Sequence, residues 1–144
     1  MEKIFFTKNA EETKALAGKL ARTWKGGDVV GLVGDLGAGK TTFVQGVAGA
    51  LSMKRAVRSP TFLRFQVYKV TSDKPQVTSF VHVDAYRIKK PEQLLELGLE
   101  DYLGRNDKLV LIEWAEKVKK SLPRNTQWLR FQYGKKEGER QIIM

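Results

Sequence analysis

The chain is 144 residues long, 42% hydrophobic and without cysteine, which excludes a disulfide framework, a thiol nucleophile and a zinc–cysteine site. Lysine and arginine number 26 against 16 acids, a formal charge of +10 that attracts polyanions and acidic protein surfaces, although the basic residues form no dense run. No stretch approaches the roughly 20 apolar residues of a membrane helix, and the first residues lack the long apolar region of a signal peptide, so one cytoplasmic domain over residues 1–144 with no membrane partner is expected.

In chain order, Lys3 to Thr7 reads as a short edge strand. Leu16, Ala17, Leu20, Ala21 and Trp24 then recur at helical spacing, which predicts a helix from Ala10 to Trp24 ended by Gly26 and Gly27. Asp28 to Val33 is a nearly all-apolar run, the form of a central strand covered on both faces. It leads into a glycine-rich loop and a second helix from Thr41 to about Leu51, with Phe43, Val47 and Ala48 facing the sheet. A basic connection with Lys54, Arg55 and Arg58 precedes two β-like runs, Phe62 to Val70 and Val77 to Asp84, joined by a hairpin loop over Thr71 to Gln76. Pro91 can open a helix carrying Leu94, Leu95 and Leu97, Gly98 can close it, and Leu99 to Leu103 can add a turn. Leu109 to Ile112 is another buried strand, followed by a basic helical segment from Ala115 to Lys120. A last hairpin joins Gln127–Tyr133 to Arg140–Ile143. Strand–loop–helix units mixed with antiparallel hairpins predict a three-layer α/β domain with a mixed parallel and antiparallel sheet, which the loop described next makes a P-loop NTPase fold.

Gly34-Asp35-Leu36-Gly37-Ala38-Gly39-Lys40-Thr41 matches the Walker A pattern in full, between a predicted strand and a predicted helix. Its glycines let the backbone curl so that successive amides face phosphate oxygens, and the following helix adds the positive end of its dipole. The candidate nucleotide cradle is therefore Asp35, Leu36, Gly37, Ala38, Gly39, Lys40, Thr41 and Thr42. Lys40 would neutralise the β- and γ-phosphates of ATP, and the Thr41 hydroxyl would take one position on Mg²⁺. Such a site also needs a carboxylate at a neighbouring strand end. Glu113 ends the Walker B-like run Leu109-Val110-Leu111-Ile112, and Asp84 ends Phe80-Val81-His82-Val83. Glu113 is the choice for the Mg²⁺ side and Asp84 for positioning the attacking water, with the reverse assignment open.

His82 lies two residues before Asp84 and shares its strand face, so it orients a carboxylate or water, or is simply a bonded structural histidine. Arg87 can reach a γ-phosphate or a partner's acidic group, or form an ordinary surface ion pair. Trp114 can stack on a base or partner surface, or cap the core at the strand end.

These residues resemble the TsaE (YjeE) family of bacterial P-loop ATPases required for threonylcarbamoyladenosine formation in tRNA. The resemblance runs through the Walker A segment, then Ser59-Pro60-Thr61-Phe62, His82-Val83-Asp84-Ala85-Tyr86-Arg87, Leu97-Gly98-Leu99-Glu100-Asp101-Tyr102 and Ile112-Glu113-Trp114. Ala85 and Ala115 depart from it, standing where the family often has leucine and proline. The resemblance implies a Mg²⁺-dependent ATPase, slow alone, that works with TsaD and TsaB and resets their complex without transferring the threonylcarbamoyl group itself. It implies indirect contact with tRNA and a nucleotide-sensing loop at Ser59 to Phe62, a segment whose residues alone read as a proline-fixed turn.

Three other readings compete. A GTPase lacks its guanine-reading Asn-Lys-x-Asp, since Asn106-Asp107-Lys108 has the wrong order. A small-metabolite kinase needs a lid or acceptor domain for which this length leaves little room. A nucleotide-dependent RNA-binding module would interleave aromatics with arginine and lysine, a pattern not found here.

Overall fold

The structure, a computed structural model, describes residues 2–51, 65–71, 77–96 and 98–144. The Ser59–Phe62 segment, the basic residues Lys54, Arg55 and Arg58, most of the Thr71–Gln76 loop and Leu97 lie outside the described residues. Seven strands form one sheet: β1 (Ile4–Thr7), β2 (Val29–Gly34), β3 (Phe65–Lys69), β4 (Ser79–Asp84), β5 (Lys108–Glu113), β6 (Gln127–Tyr133) and β7 (Arg140–Ile143). Among the described residues three α-helices accompany them: α1 (Ala10–Ala21), α2 (Lys40–Ala50) and the short α3 (Glu92–Glu96).

The strand order is β1-β7-β6-β2-β5-β4-β3. β6, β2, β5 and β4 run parallel, while β1, β7 and β3 join antiparallel. The mixed sheet and its α/β class are as the sequence predicts. Because β2, β5 and β4 are covered on both faces, their apolar runs need no alternation; Leu109 to Ile112 is wholly buried.

Two apolar clusters fill the two sides. On one, α1 and α2 pack through Ala17, Leu20, Phe43, Val44 and Val47 onto Leu32, Phe80, Leu111 and Leu129. Phe43 meets Trp24 at 6.2 Å and Phe131 edge-on at 5.3 Å. Such aromatic pairs add about 0.5–1.5 kcal/mol beyond their burial. α1 and α2 approach so closely that a Cβ on Gly46 would lie 2.6 Å from the Lys14 carbonyl, so this helix interior requires glycine. On the other side, Leu94, Leu99, Ala115 and Val118 cover Val81, Val83, Val110 and Ile112. Two helical layers thus enclose the sheet.

α1 stops at Ala21 and not at Trp24. The Thr23 hydroxyl and amide both donate to the Leu20 carbonyl, at 2.7 and 2.9 Å, closing the helix early. Trp24 still reaches the core from the turn, its indole nitrogen donating to Gln127 at 3.0 Å. The helical segment expected from Ala115 to Lys120 is a 3₁₀ helix over Ala115–Ser121, interrupted where Val118 leaves helical geometry.

Candidate functional site

The carboxyl ends of β2, β4 and β5 converge where α2 begins. β2 delivers the glycine loop, whose residues 35–37 are exposed while Ala38 and Lys40 are buried. Gly37 and Gly39 take φ of +78° and +103°, the left-handed region in which glycine carries no steric penalty. α2 starts at Lys40 with no side-chain cap, so its first amides remain oriented toward the loop's concavity.

Lys40 folds back into that concavity. Its ammonium donates to the Gly34 carbonyl and, at 3.1 Å, to that of Asp35. It also lies 3.8 Å from the centre of the Trp114 ring, a cation–π contact. Burial holds its pKa below the ordinary lysine range, against the pull of Glu113, Glu116, Asp35 and Asp84. Glu116 reaches the surface, yet neighbouring protein strips enough water from it to push its carboxyl up, with Lys40 opposing.

Next in the chain, the Thr41 hydroxyl donates to Glu113 Oε1 at 2.8 Å. The other oxygen, Oε2, is 2.5 Å from His82 Nε2. His82 and Glu113 are both buried, and His82 Nδ1 has no hydrogen-bond partner among the described residues. The carboxylate that His82 meets is that of Glu113, a contact common to an orienting role and to a bonded structural histidine. Asp84 is the register partner of Glu113. It is less buried, and its Oδ1 accepts from the Tyr86 amide at 2.9 Å, an Asx turn that leads the chain off β4. Thr42 is half-buried beside Thr41 on α2.

Arg87 is exposed in the turn after β4 and makes no hydrogen bond or ion pair with any described residue. Trp114 caps the core at the strand end: it packs on the second apolar cluster, meets the Tyr86 ring at a tilt with centroids 5.0 Å apart and lies under Lys40. Its φ of +58° is uncommon for a bulky residue and costs on the order of 1–3 kcal/mol. That turn swings the indole across the loop immediately after Glu113. Lys117 adds a further cation over the Tyr86 ring, at 5.0 Å, and bonds the Tyr86 carbonyl.

Sequence reading missed the far side of the loop. Tyr133 and Arg140 of the last hairpin bond the carbonyls of Leu36 and Gly37, the latter at 3.0 Å. Neither lies near the loop in sequence; only the parallel pairing of β6 with β2 brings them there.

Residues 7–142 match the family described as "Threonylcarbamoyl adenosine biosynthesis protein TsaE". The chain belongs to this family. It is 44% identical over 112 residues to the TsaE protein of Rickettsia felis, a match covering 77% of this chain and 61% of that one. The TsaE protein of Bacillus subtilis is 42% identical over 117 residues, covering 81% and 69% of the two chains. The chain therefore spans about three-fifths of the Rickettsia relative's length. In three dimensions it superposes on the crystal structure of Bacillus subtilis YdiB with a TM-score of 0.77 and 33% identity, over 99% of this chain and 84% of that one. Among the described residues, no helix is long and apolar enough to cross a membrane.

Proposed function

We propose that the chain binds ATP with Mg²⁺ and hydrolyses it slowly at the P-loop, as a cytoplasmic accessory to threonylcarbamoyladenosine formation in tRNA. The observation that carries the reading is the Thr41–Glu113 contact of 2.8 Å beside Lys40. A threonine hydroxyl and a carboxylate converging at the start of the P-loop helix are hard oxygen donors of the kind Mg²⁺ takes, completed by water and phosphate oxygens. Among the described residues no group of three or more acidic or histidine side chains forms an all-protein metal cage, which suits a cation held jointly with a nucleotide. When bound, Mg²⁺ would supply charge neutralisation at the phosphates.

The remaining roles follow from position. Lys40 would exchange the Gly34 and Asp35 carbonyls for phosphate oxygens. Glu113, with its second oxygen held by His82, would keep the Mg²⁺ side, and the less buried Asp84 would position the attacking water. Arg87 would reach the γ-phosphate or a partner's acidic group. The family description and the relatives' names support a place in threonylcarbamoyladenosine biosynthesis; action on TsaD and TsaB, with tRNA met indirectly through them, is the finer part of this proposal and comes from the motif resemblance.

Calorimetry on Lys40→Ala and Thr41→Ala tests the site. The first should weaken ATP binding with or without Mg²⁺, the second mainly the Mg²⁺-dependent part, and wild-type affinity in both would overturn the reading. Supplying one arginine to a transferring phosphoryl group can raise its rate by about 10³–10⁵. Single-turnover hydrolysis should accordingly rise when TsaD and TsaB are added, and the rise should shrink in Arg87→Ala and at high salt. A fast rate unchanged by partners would remove the accessory role.

A further inference from the structure

The phosphate loop is fastened on two sides by different parts of the chain. On its inner side, Lys40 donates to the carbonyls of Gly34 and Asp35, the bonds a phosphate would displace. On its outer side lies the β6–β7 hairpin. β6 runs beside β2 with Phe131 opposite Gly34, so its end arrives at the loop, and Arg140 opens β7 opposite Tyr133. The Tyr133 hydroxyl donates to the Leu36 carbonyl. Arg140 Nη2 donates to the Gly37 carbonyl at 3.0 Å, while Nη1 donates to the carbonyl of Glu139 at 2.8 Å. The guanidinium lies 4.8 Å from the centre of the Tyr133 ring, so each side chain holds the other.

We propose that Tyr133 and Arg140 are positioning residues that pre-shape the phosphate cradle by holding the Leu36 and Gly37 carbonyls on the outer side of the loop. The inference rests on the nucleotide-binding reading above and adds residues from outside the Walker pattern to it.

In a trans peptide the C=O and N–H point in opposite directions. Fastening the Leu36 carbonyl to the hairpin therefore turns the Gly37 amide away from it, toward the side where phosphate would sit. The next peptide plane is fixed at both edges, since the Ala38 amide donates to the Asp35 carbonyl at 3.1 Å while Arg140 takes the Gly37 carbonyl. Without these holds, a loop with glycine at 37 and 39 would have to be ordered by the ligand, and glycine loses more conformational freedom on ordering than any other residue. Pre-ordering transfers that cost from binding to folding. The fit is close: a Cβ on Gly37 would stand 2.9 Å from the Tyr133 hydroxyl. These bonds lie behind the cradle, so they should matter equally for every nucleotide that fills it.

The test is calorimetric titration of ADP and ATP, with and without Mg²⁺, into wild type, Tyr133→Phe and Arg140→Ala. Kd should rise about threefold in Tyr133→Phe and about tenfold in Arg140→Ala, the larger loss matching the charged hydrogen bond. The factor should be the same for both nucleotides and independent of Mg²⁺. Tyr133→Phe removes one hydroxyl from an exposed ring, so its ligand-free melting temperature should stay within about 2 °C of wild type while the rise produced by nucleotide shrinks. Wild-type affinity in both variants would overturn the proposal. So would a loss confined to ATP, which would mean that Arg140 touches the γ-phosphate directly. Failure of the wild type to bind either nucleotide would instead overturn the reading on which the proposal rests.

Discussion

Strands β4 and β5 lie side by side in parallel register, and their two ends use carboxylates in opposite ways. At the amino end, Asp107 precedes β5 at the surface. The Thr78 hydroxyl donates to it at 2.9 Å, and Lys108 stands 3.3 Å away. At the carboxyl end, Glu113 is buried between Thr41 and His82, with Asp84 beside it in register. The first arrangement ties one strand start to its neighbour and faces water. The second holds a carboxylate out of water against the helix that follows the phosphate loop. A buried carboxylate is costly unless its oxygens are bonded, and here both are. The proposed division of roles depends on that difference: the buried, doubly held group keeps a fixed geometry, whereas Asp84 is the more accessible of the pair.

Removing Glu113 should have the largest effect. Glu113→Ala leaves the Thr41 hydroxyl and His82 without their shared acceptor, and should cost about 3 kcal/mol of stability together with the Mg²⁺-dependent part of ATP binding. Glu113→Gln should keep most of the stability and still lose the Mg²⁺-dependent binding. Urea denaturation and calorimetry separate the two effects, and a fully stable Glu113→Ala with normal Mg²⁺ dependence would abolish the contrast between the strand ends.

Asp84→Asn should slow single-turnover hydrolysis by about 10²-fold, the lower end of what a positioned base contributes, with ATP and Mg²⁺ binding near wild type. If Asp84→Asn instead removed Mg²⁺-dependent binding and Glu113→Gln did not, the two roles are reversed. His82→Asn comes next. A partner that orients a metal-side ligand is typically worth 10–100-fold, and because asparagine retains one hydrogen bond, the expected loss of Mg²⁺ affinity is about tenfold at unchanged metal-free ATP affinity. An equal loss with and without Mg²⁺ would make His82 a general packing residue.

Much of this site was legible in the sequence because its signals are local. The Walker A spacing, the apolar runs that end at Asp84 and Glu113, and the two-residue offset between His82 and Asp84 need only the strand period and its ends. What could not be read depends on topology or on an uncommon backbone state. Arg140 reaches Gly37 because β6 pairs with β2, and nothing local to the last hairpin chooses that neighbour. Trp114 swings under Lys40 through a left-handed conformation that sequence patterns assign to glycine or asparagine. Apolar spacing carried the α1 helix through Trp24, but the Thr23 hydroxyl competed for the Leu20 carbonyl and closed it at Ala21.

The smallest effect belongs to the amino end. The Thr78 hydroxyl, bonded to Asp107, holds that carboxyl below the ordinary carboxylate range against opposing desolvation, with Lys108 contributing in the same direction as Thr78. A carboxyl depressed in the folded state binds its proton more readily when unfolded, so the unfolded chain takes up more protons as the pH falls. The stabilisation is therefore fully present above the ordinary carboxylate range of about pH 4 and is lost as the pH drops through the lower folded value. Thr78→Val keeps the side-chain shape and removes the hydroxyl. It should lower the urea midpoint slightly at pH 7, and the gap from wild type should close as the pH falls below the ordinary carboxylate range and Asp107 is protonated in both proteins. Because Asp107 faces water and the β4–β5 pairing is otherwise complete, nucleotide affinity should not change. A gap that stays constant from pH 7 to acid would show that Thr78 acts through packing and not through this carboxylate. A change in nucleotide affinity would show that the two ends of the strand pair are coupled through the sheet.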